Sequence, residues 1–435
     1  MVSTTALLII SLSYFPFSQA KTLSQCAPPP TTPFPPQHNK TCPSAILDDT
    51  TPFPSHNATI PWTQPPYCII PRSIGSTHKF CIYTSSSYNL GSGLSVLTTP
   101  EVAASYASAI LDPLPAFEAR HHLAHHGIQS PEQKSQLSYE VVPIPGKGLG
   151  VVATKHIPQF DIIMVSYPAM IIDNEFLPPD EDKAPVEGWR AFTKALMGLG
   201  DEERFLSMAK SKSGDIHVVE DLVRTNAFGL YTMGRDLKGA YPEVAVGFPE
   251  SMRMCRDGMT DAASCSFPQY RSDDLGMRVI ATRDIHPGEE ITISYVPLGM
   301  PTAYRQRSFS NWSFKCTCAL CTAKPEVRDA SDARREQLAD LYAKMEDSGT
   351  SHRQLVALIK EFDEIVDKEG LAVKRGEYYQ GFMMFHAARG DWEGALKYGQ
   401  QSLKYTETFS DPTGGFAGGL RDDVRYLKGM TGQKG

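Results

Sequence analysis

The sequence predicts an α+β protein in which two β-rich segments precede a long helical C-terminal part. Residues 139–173 and 276–296 carry runs of apolar and β-branched residues around glycine turns, a pattern typical of strands. After Cys321 the apolar residues recur at helical spacing almost to the end of the chain. With 435 residues, the chain is long enough for roughly two to four domains.

The first β-rich segment, YEVVPIPGKGLGVVATKHI, contains two strand patterns around a glycine turn. The residues of this turn are Gly146, Lys147, Gly148, Leu149 and Gly150. Because glycine has no side chain, a ligand can approach backbone N–H groups closely here. Taken alone, the pattern is more typical of an ordinary β-hairpin than of a ligand site.

The remaining β pattern falls in two stretches on either side of a predicted helical region at 185–223. IIMVSYPAMIID, at 162–173, predicts a buried pair of strands. GMRVIATRDIHPGEEITISYV, at 276–296, predicts strands around a Pro-Gly turn. Glu289 and Glu290 follow that turn, and we interpret them as a solvated turn with a structural contact rather than as acid/base groups.

The C-terminal helices have two recognisable features. One apolar stripe contains Leu355, Leu358, Ile359, Phe362 and Val366. The segment GEYYQGFMMFHAARGDWEGALKYGQQSLKY resembles one tetratricopeptide-type helical hairpin, with Gly390-Asp391 at its turn. Since one such unit cannot bury its faces alone, we expect it to pack on neighbouring helices.

The N-terminal residues suggest a secretory route. The apolar run 6–17 ends in small residues, which predicts a signal peptide at 1–20; an apolar stub on a cytoplasmic or nuclear protein is the alternative. Residues 21–98 are rich in proline and cysteine, and we interpret 21–75 as poorly packed and held by disulfides. Sequons begin at Asn39 and Asn57. Residues 99–137 predict a helix starting at Pro100 and then a linker.

The charge pattern argues against nucleic acid as a partner. The net charge is −7, and no clustered Lys and Arg suggest a phosphate-binding surface. The N-terminal apolar run is too short to span a bilayer, so no membrane span is predicted in the mature chain.

A short cysteine cluster, Cys316, Cys318 and Cys321, has the pattern C-x-C-x-x-C. Three thiolates at this spacing suit tetrahedral zinc, which requires a fourth ligand. Disulfide pairing is the alternative in an oxidising compartment, and we favour zinc.

Three motifs, GKGLGVVATKHI, RDIHPGEEITISY and NWSFKCTCALC, occur in an order and at distances that resemble the SET-domain family. The N-terminal part looks like secretory-leader SET proteins of filamentous fungi, and the helical tail looks like the C-terminal domain of SET proteins that carry an MYND finger. The resemblance implies small sheets with a knot-like crossing, followed by an α-helical domain. Its boundaries are a SET domain at 138–300 with a helical insert at 178–245, a post-SET cysteine segment at 301–325 and a tetratricopeptide-like domain at 326–435.

The resemblance also implies functions for individual residues. The glycine turn, from Gly146 through Lys147, Gly148 and Leu149 to Gly150, would bind S-adenosylmethionine, and Tyr295 would be the catalytic tyrosine beside the methyl group. The post-SET zinc would be held by Cys265, Cys316, Cys318 and Cys321, with Cys255 as the other candidate for the fourth ligand.

One segment departs from the family pattern. Aligned on Cys265, the family's Asn-His pair becomes Ala262-Ala263 in this chain; aligned on Cys255, it becomes Met252-Arg253. Neither pair can donate and accept the same hydrogen bonds. Two functions remain: a protein-lysine methyltransferase, possible only if cofactor binding survives this loss, or a non-catalytic SET scaffold that binds a protein partner, for instance through the helical tail.

Overall fold

The fold is described from a computed structural model of the chain. It describes residues 46–53, 60–71, 77–111, 137–144, 148–176, 193–194, 197, 199, 222, 227–232, 235–240, 265–294, 296–310 and 319–432. The predicted signal peptide, both sequons, Cys26 and Cys42 lie outside these residues.

The strands and helices confirm the α+β prediction. The strands are β1 (Tyr67–Ile69), β2 (Phe80–Ser85), β3 (Leu94–Thr98), β4 (Tyr139–Ile144), β5 (Gly148–Ala153), β6 (Ile162–Ser166), β7 (Met170–Asp173), β8 (Ala227–Thr232), β9 (Arg235–Ala240), β10 (Ser266–Tyr270), β11 (Met277–Ala281) and β12 (Glu290–Ile291). The helices are α1 (Tyr88–Gly91), α2 (Pro100–Leu111), α3 (Thr302–Ser310), α4 (Ala319–Thr322), α5 (Pro325–Glu346), α6 (His352–Lys368), α7 (Arg375–Ala388), α8 (Trp392–Phe409) and α9 (Gly415–Met430).

The largest sheet joins the N-terminal region to the predicted SET domain. Its strand order is β1-β2-β3-β7-β9-β8, and β3 runs parallel to β7. Every residue of β2 and β3 is buried. The second half of the Pro/Cys-rich region at 21–98 is therefore part of the core, because its strands complete the largest sheet.

Part of the segment that we expected to be poorly packed is also in the core. Leu47 and Trp62 are buried, and the Trp62 ring lies 5.1 Å from that of Tyr83. The Tyr83 hydroxyl donates a hydrogen bond of 2.5 Å to the carbonyl oxygen of Leu47. The interpretation of 21–75 as poorly packed is corrected for these residues, since large apolar side chains outweigh the prolines around them.

A disulfide joins β1 to β2. Cys68 and Cys81 lie opposite each other in the antiparallel register, with their Cα atoms 4.0 Å apart, and they are bonded. The predicted use of the early cysteines in disulfides is confirmed for this pair.

The predicted helical insert requires a correction at its end. Strands β8 and β9 fall within 178–245 and form an antiparallel hairpin from Ala227↔Ala240 to Thr232↔Arg235. Pairing of β9 with β7 supplies the backbone partners that stabilise this hairpin, which local helical propensity does not predict.

Two three-stranded sheets complete the β part, with orders β10-β11-β6 and β12-β5-β4. The strand pair predicted at 162–173 is present as β6 and β7, but the two strands belong to different sheets. The Pro-Gly turn is also confirmed, since Gly288 has a φ of 84°, which glycine adopts at no steric cost.

The C-terminal helices match the predicted pattern. The α6 stripe is buried at Leu355, Ile359, Phe362 and Val366. Helices α7 and α8 form the expected hairpin, with Asp391 as the N-cap of α8, and α8 also packs on α9 through Leu396 and Leu420.

The helical tail contacts the β part directly. The side-chain amide of Gln269 on β10 donates to the carbonyl oxygens of Glu407 and Ser410, at 2.9 and 2.6 Å. The Phe267 and Phe409 rings lie 6.1 Å apart. Among the described residues, no helix is both long and apolar enough to cross a membrane.

Candidate functional site

The glycine motif forms the β4–β5 hairpin. The two strands pair from Tyr139↔Ala153 to Ile144↔Gly148. Gly146 and Lys147 lie outside the described residues, as do the side-chain surroundings of Leu149. A Cβ atom at Gly150 would lie 2.2 Å from Cδ1 of Ile144, so a larger residue here would force the Ile144 side chain to move.

Strand β12 brings the tyrosine motif alongside this hairpin. Glu290 pairs with Val152 and Ile291 with Val151, in antiparallel orientation. Since β5 begins at the glycine turn, the chain after Ile291 leaves β12 in the direction of that turn. Tyr295 itself lies outside the described residues. The residues on either side of it are linked by a hydrogen bond of 2.8 Å, which the Ser294 hydroxyl donates to the carbonyl oxygen of Val296.

A third segment, Cys265-Ser266, lies against the residue that follows β12. The Ser266 amide and hydroxyl both donate to the carbonyl oxygen of Thr292, at 3.1 and 2.9 Å. The Thr292 amide donates to Sγ of Cys265 at 3.4 Å. The three motif segments are therefore adjacent, β5 beside β12 and Cys265-Ser266 beside Thr292. The sequence reasoning missed Ser266 and Thr292, whose only signal was their position beside motif residues.

Cys265 is completely buried, and its thiol donates to the carbonyl oxygen of Glu290 at 3.5 Å. Burial raises the pKa of this thiol, although the Thr292 amide lowers it. A zinc ion would bind the thiolate, so Cys265 would give up its bond to Glu290 and keep the N–H donor of Thr292. The surroundings of Cys265 are therefore compatible with a zinc-bound thiolate.

Only part of the predicted zinc set is described. Cys321 lies half-buried in α4, and Cys316 and Cys318 fall outside the described residues. The four-cysteine site stays a prediction.

The turn after β11 shows which acidic groups are structural. Glu289 accepts a hydrogen bond from the His286 amide at 3.2 Å and pairs with Arg283 at 2.8 Å. These contacts agree with the interpretation of Glu289 as a residue that stabilises the turn.

A buried ion pair supports the β10-β11-β6 sheet. Arg278, in the middle strand, donates to Asp274, with 2.8 Å between Nη1 and Oδ1. The carbonyl oxygen of Asp274 accepts from the Tyr88 hydroxyl at 3.2 Å, which ties the N-terminal region to this sheet. Burial raises the pKa of Asp274, but the hydrogen bonds and charge of Arg278 outweigh it and hold the pKa below its ordinary value.

A cavity of about 190 Å³ lies beside the contact between β10 and the helical tail. It is lined mainly by apolar and aromatic residues, among them Phe267, Leu298, Tyr405 and Phe409, and also by Lys374 and Glu377. This cavity therefore lies where the β part of the chain meets the C-terminal helices.

Comparison with known proteins agrees with this geometry. The SET domain family matches residues 148–296. N-lysine methyltransferase SMYD2 of Mus musculus is 33% identical over 145 residues, which cover 29% of this chain and 34% of the mouse protein. SMYD2-B of Xenopus laevis is 34% identical over 145 residues, and human SMYD2 is 32% identical over the same length.

The chain spans about a third of the length of these relatives. The matched range contains β5, β12 and Cys265-Ser266, the segments that meet at the candidate site. Residues 148–296 are therefore a SET domain, and the chain that carries them is related to the SMYD-type lysine methyltransferases.

Proposed function

We propose that this chain is an S-adenosylmethionine-dependent methyltransferase that acts on lysine side chains of proteins. The observation that carries the proposal is the pairing of β12 with β5, which directs the Tyr295 segment toward the glycine turn. The names of the SMYD2 relatives support the same reaction class.

Each motif has a defined task in this proposal. Backbone groups of the turn from Gly146 to Gly150 would hold the amino-acid end of S-adenosylmethionine, where the lack of side chains allows close approach. When bound, this cofactor supplies an electrophilic methyl group. Tyr295 would orient the neutral lysine amine through its hydroxyl, because the displacement requires aligned reacting atoms and a polar pocket that orients both partners.

The same proposal includes weak cofactor binding. Ala262 and Ala263 stand where the family has asparagine and histidine, and each lost polar partner in a buried site costs about 1–3 kcal/mol. This substitution also favours a second candidate function, a non-catalytic SET scaffold that binds a protein partner.

Calorimetric titration with S-adenosylmethionine distinguishes the two functions. The test compares the native chain with the double variant Ala262→Asn/Ala263→His, and Ala330→Asn on the exposed face of α5 is the control. Weak native binding that the double variant tightens about tenfold or more supports the methyltransferase. Absence of binding in both proteins supports the scaffold and overturns the enzyme proposal.

We also propose that Cys265, Cys316, Cys318 and Cys321 bind one zinc ion. The hydrogen bond from the Thr292 amide to Cys265 supports this, because zinc-bound thiolates readily accept N–H donors. Elemental analysis of the reduced, purified protein tests it.

For localisation we propose the secretory pathway. The Cys68–Cys81 disulfide supports this, since disulfides persist in oxidising compartments. Mature protein that begins at Lys21 and carries glycans at Asn39 or Asn57 is the expected result, and an unprocessed N-terminus on cytosolic protein is the contrary one.

A further inference from the structure

Three helix ends in the tetratricopeptide-like domain bring two histidines and a carboxylate together, far along the chain from the SET motifs. His352 is the first residue of α6, His386 lies near the end of α7, and Asp391 is the N-cap of α8. Their ligand atoms all lie within 4.8 Å of one another. From this geometry we propose a divalent transition-metal site formed by His352, His386 and Asp391, with zinc as the ion to test first.

The two histidines converge on a single oxygen atom. Nε2 of His352 lies 2.8 Å and Nδ1 of His386 lies 2.7 Å from Oδ2 of Asp391. Two imidazoles and one carboxylate are donors that suit zinc and the neighbouring divalent ions, and three protein ligands leave a coordination position for water.

The ligands are held in place before any ion binds. Oδ1 of Asp391 accepts a hydrogen bond of 3.0 Å from the Gly394 amide, which fixes the carboxylate at the helix N-terminus. The His386 ring is buried and stacks on Tyr398, with 5.2 Å between the ring centres. Such fixed orientation lowers the entropic cost of binding.

Space for the site depends on a glycine. A Cβ atom at Gly394 would lie 2.3 Å from Nδ1 of His386 and 2.4 Å from the Asp391 carboxylate oxygen Oδ2. A side chain here would therefore cover both ligand atoms. His352 is more than half exposed and lies on the solvent side, which leaves a path for an ion.

Without a metal ion, the three side chains are held together by hydrogen bonds, because each imidazole donates one N–H to the Asp391 carboxylate. Metal binding requires each ring proton to move to the other nitrogen, so that the ligand atoms carry lone pairs. For His386, Nε2 is buried and makes no hydrogen bond to any residue that the structure describes, so no second partner locks its tautomer. A proton moved to this nitrogen has no acceptor there, which costs about 1–3 kcal/mol that the metal–ligand bonds must offset. For His352 the other ring nitrogen belongs to a largely exposed side chain.

The test is zinc stoichiometry of the full chain by equilibrium dialysis. His352→Ala removes one ligand at an exposed position, and Asp391→Asn keeps an N-cap residue while removing the charged ligand. Both variants should bind about one zinc equivalent per chain less than the native protein. The control His78→Ala removes another exposed histidine beside a carboxylate and should leave the stoichiometry unchanged.

Cobalt(II) separates this site from the cysteine site. Imidazole and carboxylate ligands give weak visible bands, whereas thiolate ligands add an intense charge-transfer band. The weak bands should disappear in His352→Ala and Asp391→Asn while any thiolate band stays. Equal zinc stoichiometry and an identical cobalt spectrum in the native chain and both variants would overturn the proposal.

Discussion

The amide nitrogen of Thr292 donates a hydrogen bond to Sγ of Cys265, across 3.4 Å and 27 residues of sequence. Through this contact the segment after β12 is held against the segment that enters β10. Both groups are buried, so this crossing is protected from water. Cys265, which the sequence predicts only as a zinc ligand, therefore also helps to hold the chain that leads to Tyr295.

Substitution of Cys265 separates its two roles. Cys265→Ala should destabilise the protein by about 1–3 kcal/mol in chemical denaturation, because the Thr292 amide loses its buried acceptor. If Cys265 also binds zinc, Cys265→Ala and the half-buried Cys321→Ala should both lose the ion. Loss of stability with unchanged zinc content would restrict Cys265 to its structural role.

Tyr295 is the residue to change for the chemical step. Tyr295→Phe in the Ala262→Asn/Ala263→His background should lower the rate of lysine methylation with little effect on S-adenosylmethionine affinity, because the hydroxyl acts only at the reacting centre. Rates come from single-turnover transfer of labelled methyl groups, and affinity comes from calorimetry. A matching fall in affinity would instead assign Tyr295 to cofactor binding.

The disulfide between β1 and β2 should contribute measurably to stability. For a sequence separation of 13 residues, loop-closure entropy predicts about 3 kcal/mol. Cys68→Ala/Cys81→Ala should therefore unfold at lower denaturant concentration than the native chain. A reductant should shift the native chain to the same midpoint and leave the double variant unchanged. Insensitivity of the native chain to reductant would mean that the bond does not form in solution.

The buried Asp274–Arg278 pair should give a pH-dependent stability. Removal of one partner leaves the other charge buried, so Asp274→Asn should cost about 3–5 kcal/mol near neutral pH. Because the folded state lowers the pKa of Asp274, the stabilisation is present above the unfolded pKa of about 3.9 and is lost as the pH falls below it.

Denaturation of native protein and variant between neutral and acid pH measures this effect, and the difference between them should shrink at acid pH. Asp273→Asn is the matched control, since its pair with Arg271 is partly exposed and should contribute about 0–1 kcal/mol. A pH-independent difference for Asp274→Asn would contradict the assignment.

Alanine substitution at two helical glycines should change the stability of the protein in opposite directions. A Cβ atom at Gly381 would lie 2.0 Å from the hydroxyl oxygen of Tyr342, whose ring also packs 5.2 Å from that of Phe385. Gly381→Ala should therefore cost about 1–3 kcal/mol through overpacking. Around a Cβ atom at Gly418, none of the described residues places an atom within 4 Å, so alanine should stabilise α9 by roughly 0.5–1 kcal/mol. Thermal unfolding of both variants measures the contrast.

The sequence by itself determined the elements whose signals are local. The α6 stripe, the Gly390-Asp391 turn and the Pro-Gly turn at Gly288 each depend on residues within a few positions of one another, and all three are present. The SET motifs were also recognisable from their order along the chain.

Only the tertiary structure decided which of these elements meet. Three contacts join segments that are distant in sequence. Strands β1, β2 and β3 extend the sheet that contains β7, β9 and β8, the β8–β9 hairpin forms within the predicted insert, and Cys265 contacts Thr292. The cluster of His352, His386 and Asp391 arises in the same way, from three separate helix ends. No local pattern encodes such contacts, because the free energy that fixes them comes from burial and hydrogen bonds between segments that become neighbours only on folding.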